Sequence, residues 1–372
     1  MSVNTNMQII RTSTRTGRRK RATDSIMLAV SIVSVVGVIT ILLNASITHT
    51  AFAQAQKTLR LGYFPNINHA QGVIGIGDGS FQKTLGDNVT LETFDVTLLA
   101  GRLDASYIGP NPAINGYVVS DGQAVRVIAG ATSAGASFVI RNDSGINSAQ
   151  DLGGKKFASP QLGNTQDVAL RKYLTDNGFN TLENGVNVTV LPIANADILT
   201  TFLKKEIAGA WVPEPWATRL VNEAGGKIFV DERDLWPPEG KFVTAHLIVS
   251  PEYIKENPDV IKRLLTAHVN ETQWINEHKD KVPTVFNTEL KKLTGQTIPE
   301  DVLTEALTRL EFTNDPIKLS LFQSANDAYD LGFLAKGQVR PNLSGIYDLA
   351  LIDQVLSEKG LPTIGDTGDI IF

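Results

Sequence analysis

The sequence predicts an α/β protein of two lobes joined by two chain crossings, with a cleft between them. Three observations predict it. From Lys57 onward short strand-like runs alternate with helical ones, the order that builds a mainly parallel sheet covered by helices. The alternation pauses near residue 142 and restarts as a second unit. A long strand-like run, "KFVTAHLIVS" at 241–250, then reads as a return crossing, and the chain from Pro251 on is helical. With 372 residues the chain can bury two cores.

The elements follow in order. "KTLRLGYF" (57–64) alternates apolar residues and stops at Pro65, a first strand. The next stretch is helical and contains "GVIGIGDG". Its glycines do not fit G-x-G-x-x-G and lie within a helix, so they serve close packing rather than a dinucleotide. "NVTLETFDV" is a second strand, and "LLAGRLDASYIG" a short helix and a third strand. "PNPAINGYVVSDG" is a helix, and "AVRVIAGAT" and "SFVIRND" complete the first strand set, with a crossing near 138–142. In the second unit "KKFAS", "VNVTVLPI", "IAGAWV" and "KIFVDERD" are strands, while "NTQDVALRKYLTDNGF", "ADILTTFLKKE" and "PWATRLVNEAGG" are helices. The expected division is an export segment at 1–53, a first lobe at 54–140, a second lobe at 141–243, and a return at 244–372 whose helices back the first lobe.

Composition narrows the function classes. Apolar residues make up 42% and charged residues 20%, ordinary for a globular chain. There is no cysteine, which excludes disulfides, thiolate metal sites and cysteine nucleophiles. Six cationic residues (Arg11, Arg15, Arg18, Arg19, Lys20 and Arg21) precede the apolar run "IMLAVSIVSVVGVITILL", and "AFA" follows at 51–53. That order reads as an export signal cleaved after Ala53. The run is also just long enough for an uncleaved anchor. Either way the remainder is placed outside the cytoplasm. Loss of 1–53 removes those six positive charges and Asp24, taking the net charge from −5 to −10. So acidic a chain argues against a nucleic-acid partner.

Four junctions carry small or amide residues where a helix should begin. They are "YFPNINHAQG" with Asn66 and His69, "YIGPNPAING" with Asn111, "GATSAGAS" with Ser133, and "SPQLGNTQDV" with Gly163, Asn164 and Thr165. Asn111 before Pro112 reads as an N-cap with proline at the first helical position. The free N–H groups at a helix start attract an anion without a lysine, and open α/β sheets bind ligands at the carboxyl ends of their strands. "AGAWVPEPWATRL" stands at a fifth strand end and holds two of the four tryptophans. Pro213 and Pro215 restrict the backbone around Glu214. Trp211 or Trp216 can wall a ligand, and Glu214 can accept from it or hold Arg219. Catalytic and metal sets are poor. The five histidines lack metal spacing, with His268 and His278 on a helix expected to be exposed. Ser133 with His69 lacks a third group.

Five stretches, "LRLGYFPNINHA", "GRLDASYIGPNPAINGYV", "DLGGKKFASPQLGNTQDVALRKYL", "AGAWVPEPWATRLV" and "KFVTAHLIVSPEYIKENPDVI", resemble the nitrate/sulfonate/taurine family of ABC-transporter substrate-binding proteins. The aliphatic-sulfonate branch is the nearest, although "LGNTQD" and "VPEP" depart from the Ser-rich loop and "WDP" common there. The resemblance implies a type II periplasmic-binding-protein fold, a small anionic solute (sulfonate, nitrate, taurine or bicarbonate), an ABC permease as partner, a monomer, and no cofactor or metal. Carried over, the ligand-binding candidates are Asn66, His69, Asn111, Ser133, Gly163, Asn164, Thr165, Glu214 and Trp216. The alternative is an exported enzyme or a sensor-type module on the same fold, such as a thiamine-pyrimidine-related protein. The enzymes of that offshoot carry a cysteine-rich motif, which this chain lacks.

Overall fold

The computed structural model describes residues 55–95, 103–180, 188–334, 340 and 342–365; the expected export segment and the short helix before the third strand lie outside them. Two sheets organise the chain. The first has the order β11-β4-β10-β3-β1-β2, from β1 (Lys57–Tyr63), β2 (Val89–Asp95), β3 (Ala105–Ile108), β4 (Arg126–Ala134), β10 (Val243–Val249) and β11 (Leu310–Phe312). The second has the order β7-β6-β8-β5-β9, from β5 (Ala136–Arg141), β6 (Lys156–Ser159), β7 (Thr189–Pro192), β8 (Gly209–Pro213) and β9 (Gly226–Asp231). Both belong to one compact unit, Gln56–Phe372.

Two expectations need correction. The sheets are mixed rather than mainly parallel. β1 pairs in parallel with β2 and β3, and β6 with β7 and β8, but β10 runs antiparallel to β3 and β4, and β5 antiparallel to β8 and β9. β10 and β5 arrive from the other lobe and so enter their sheet from the opposite end; the short β11, which follows a helix of the return segment, also runs antiparallel to β4. The first crossing is at Gly135, between β4 and β5, not near 138–142. "SFVIR" therefore belongs to the second sheet. Gly135 has φ +74, and a Cβ there would come within 2.1 Å of Leu310, so the turn between lobes needs glycine. The second crossing is as expected, with β10 buried along its whole length between β3 and β4.

Helices α1 (Ala70–Gly77), α2 (Ser80–Leu85) and α3 (Pro110–Val119) follow strands of the first sheet, and α4 (Thr165–Asp176), α5 (Asn195–Leu203) and α6 (Trp216–Ala224) follow strands of the second. The glycines of α1 pack as the sequence suggests, Gly75 against the Phe81 ring and Gly72 against Tyr107. After β10 come α7 (Pro251–Glu256), α8 (Pro258–Glu277), α9 (Val282–Thr294), α10 (Glu300–Leu307), α11 (Lys318–Asp330) and α12 (Ala350–Glu358). The twenty-residue α8 starts on Pro258 and buries Val260, Ile261, Leu264, Leu265 and Val269, one apolar stripe at helical spacing. Each such aliphatic side chain contributes roughly 1.5–3 kcal/mol on full burial. His268 lies on that buried stripe, not in solvent, with a ring nitrogen 2.9 Å from the Tyr107 hydroxyl. Among the described residues no helix is long and apolar enough to cross a membrane.

Candidate functional site

The carboxyl ends of β1, β3, β6, β7 and β8 face one cleft of about 450 Å³ between the sheets. From the first lobe it is lined by Phe64, Asn66, Asn68 and His69 after β1, by Ile108, Gly109 and Pro112 after β3, and by Thr244 on β10. The second lobe contributes Pro160, Gln161, Asn164, Thr165 and Gln166 after β6, Ala194 and Asn195 after β7, and Pro213 of β8. Three of these residues, Gly109, Asn164 and Ala194, are the N-caps of α3, α4 and α5. Three helix starts therefore turn their positive ends to one space, although Pro110 and Pro112 leave α3 only the Asn111 N–H in its first three residues. None of the lining residues is an Asp, Glu, Lys or Arg.

Local chemistry sets each donor. His69 is buried, and desolvation holds its imidazole at about 3, so the ring is neutral. Its Nδ1 accepts the Phe64 N–H at 3.1 Å, which leaves the proton on Nε2 as a donor. The Asn164 side chain accepts the Thr165 N–H at 2.7 Å and so caps α4. One turn deeper, the buried Asp167 carboxylate accepts from Ser159 Oγ (2.6 Å), the Gly163 N–H (2.9 Å) and Arg171 Nε (2.9 Å), which fixes the loop in front of the helix. Three buried polar atoms on the cleft wall have no hydrogen-bond partner among the described residues: Asn68 Oδ1, Asn195 Oδ1 and Thr165 Oγ1. Orphaned polar atoms are costly in a folded interior; the Thr165 hydroxyl can donate to an anion, while the two amide oxygens accept from water or from a donor group of the ligand.

Of the nine residues singled out from sequence, Asn66, His69, Asn164 and Thr165 line this cleft. Trp216, the first residue of α6, stands across it and donates its indole N–H to Asn66 Oδ1 at 3.3 Å, while Arg219 covers the ring face at 4.7 Å. The other four are placed differently. Asn111 is not a cap: Gly109 caps α3, Pro110 takes the first helical position, and the Asn111 amide turns to the Ser324 carbonyl at 3.4 Å. Ser133 is fully buried within β4, and no helix follows it, because that stretch is the crossing between sheets. Gly163 lies in the cap loop with φ +70, its N–H spent on Asp167. Glu214 is fully buried and holds Arg309, not Arg219, at 2.6 Å, while its other oxygen accepts the Thr218 N–H at 3.1 Å. Arg219 pairs instead with Glu223 at 2.8 Å. Trp211 is core: it stacks on Phe138 at 5.5 Å and donates to Glu232 at 2.7 Å.

Sequence reasoning passed over Gln161, Gln166, Asn195 and Thr244. Gln161 and Gln166 flank a recognised junction and could have been included with it. Asn195 lies within "LPIANAD" (191–197), itself a strand-to-helix junction. Thr244 gave no local signal; it reaches the cleft only because β10 returns to the first sheet.

Two mixed sheets, two crossings and a cleft at the strand ends define a two-lobed protein of the periplasmic-binding-protein kind. The comparisons agree and go one step further: the model of the NMT1-like family matches residues 53–285, and the chain belongs to that family. Among solved structures it is similar to the alkanesulfonate-binding protein SsuA from Xanthomonas axonopodis pv. citri bound to MOPS, at 15% identity over 80% of this chain and 100% of that one, with a TM-score of 0.66. It is also similar to the periplasmic nitrate-binding protein NrtA from Synechocystis PCC 6803, at 16% identity over 83% of this chain and 90% of that one, TM-score 0.64. The desulfurization enzyme DSZB shares the fold at 17% identity, over 82% and 99% of the two chains, with a TM-score of 0.54. These likenesses are likenesses of fold. A comparison with curated protein sequences finds no match.

Proposed function

We propose that the protein is the extracytoplasmic solute-binding component of an ABC importer, which captures a small organic anion, an aliphatic sulfonate by preference, in the interlobe cleft and hands it to a membrane permease. The lobes would be 54–134 with 243–372 and 136–242, hinged at Gly135 and at the start of β10. The observation that carries this reading is the set of three helix starts and uncharged donors around a cleft without a fixed charge. Such a site neutralises an anion with partial charges and N–H groups, and binds it without trapping it. A volume of about 450 Å³ equals roughly fifteen water volumes at ~30 Å³ each, which suits an alkyl sulfonate better than nitrate. Asn66, His69, Asn164 and Thr165 would contact the ligand, and Trp216 would close over it through Asn66. The chain would act outside the cytoplasm as a monomer, without cofactor or catalysis.

Calorimetry with ethanesulfonate, taurine, nitrate, bicarbonate and the uncharged ethyl methyl sulfone tests the proposal. The sulfonate should bind at least tenfold more tightly than the sulfone and be recovered unchanged. Equal binding of the sulfone would remove the anion reading, and conversion of the ligand would make the protein an enzyme.

A further inference from the structure

A second and larger cavity, about 810 Å³, opens on the other side of the first turn of α4, beside the second crossing. Thr165 lines both spaces, but their chemistry is opposite. The walls of the second are aromatic: Tyr173 from α4, and Trp236 and Phe242, whose rings stack at 5.7 Å and 14°. Leu235 and Leu319 stand exposed on its lining. The Glu232 carboxylate also lines it, 4% exposed, with Oε2 accepting the Trp211 indole N–H at 2.7 Å.

Among the described residues no cation pairs with Glu232. The two lysines of the lining are paired elsewhere, Lys172 with Asp176 at 2.5 Å and Lys241 with Glu239 at 3.2 Å, and the adjacent Arg233 holds Asp231 at 2.5 Å. Asp327 adds a further carboxylate, which accepts from Gln323 at 2.9 Å. Burial pushes the Glu232 carboxyl up to about 7 against the pull of its indole donors, and burial raises Asp327 as well. A glutamine could accept from the indole without the cost of burying a charge, so the carboxylate calls for a partner that brings positive charge. Aromatic faces around a carboxylate suit an organic ammonium ion, which they attract through the ring quadrupole.

We propose that this cavity is a second ligand site, which binds an organic ammonium ion with an apolar body, with Glu232 as counter-ion and Trp236, Phe242 and Tyr173 as the aromatic wall. The proposal does not rest on the assignment of the anion cleft. Benzyltrimethylammonium is the probe, followed by Trp fluorescence and calorimetry, with benzyl alcohol as the uncharged aromatic and benzoate as the anion. The cation should bind saturably, at least tenfold more tightly than the alcohol, and benzoate should bind more weakly still. Glu232→Gln keeps an acceptor for the indole and should lower affinity for the cation tenfold or more with an unchanged thermal midpoint. Trp236→Leu should lower it several-fold. Equal binding of cation and alcohol, absence of saturable cation binding, or full cation affinity in folded Glu232→Gln would each overturn the proposal. Charge selectivity in the unaltered protein decides the matter even where a variant fails to fold.

Discussion

His69 sets how the cleft responds to pH. Burial holds its imidazole at about 3, so between pH 5 and 8 the ring stays neutral and its Nε2–H remains a donor. A sulfonate is ionised over the same range. Its affinity, followed by calorimetry, should be flat from pH 5 to 8; a steep rise toward pH 5 would mean that a protonated His69 binds it. His69→Ala should weaken binding roughly ten- to a hundredfold, since a hydrogen bond to a charged partner contributes about 1.5–3 kcal/mol. The same shift has a sign for stability. The folded pKa lies below the ordinary 6.5, so the contribution of His69 is fully present above pH 6.5 and is lost as pH falls toward 3. Glu214 and Trp216, neighbours in sequence, should part company. Glu214→Gln strips charge from the buried pair with Arg309 and should lower stability by up to about 3–5 kcal/mol. Trp216→Phe keeps the ring but loses the bond to Asn66, and should cost less than about 1.5 kcal/mol while weakening the ligand. Urea midpoints and calorimetry on both variants check the contrast, which fails if Glu214→Gln is as stable as the parent.

At the scale of an element, the start of α4 does two jobs with one residue. Asn164 caps the helix through the Thr165 N–H and lines the cleft. Asn164→Ala should lose both, with about 0.5–2 kcal/mol of stability from the cap. Asn164→Asp separates them. Aspartate is an equally good cap and gains from the helix dipole, so the thermal midpoint should hold or rise. The new negative charge faces the anion, so sulfonate affinity should fall at least tenfold. Retained affinity in Asn164→Asp would show that the ligand does not sit at the start of α4.

The whole molecule is held across its cleft by contacts that belong to neither lobe alone. Trp216 meets Asn66, and Arg309 of the return segment joins Glu214 and Thr218 of the second lobe. Gly109 lies so close to the second lobe that a Cβ would be 2.7 Å from Thr165 Oγ1. A ligand touching both lobes favours the closed state by its differential affinity. Small-angle scattering should therefore give a smaller radius of gyration with saturating ethanesulfonate than without, and Trp216→Phe should need more ligand to reach it. Identical scattering curves at saturation would exclude closure as the main response.

The sequence alone determined that the chain has two α/β units, where nearly every described strand and helix lies, and that strand-end loops rich in amides and small residues line the cleft between them. These are local properties: strands and helices show in hydrophobic period, and caps in the residues next to a helix start. Asn66, His69, Asn164 and Thr165 were legible for that reason. Tertiary structure decided the rest, because it turned on which strands pair and which charges meet. Ser133 precedes a strand of the other sheet rather than a helix. Glu214 is taken up by Arg309, ninety-five positions later in the chain, a partner that no neighbouring residue announces. Thr244 enters the cleft only through the return of β10, and His268 is buried only because α8 packs on the first sheet. A carboxylate between two prolines looks the same in sequence whether it faces a ligand or a buried arginine; the partner brought to it by the fold makes the difference.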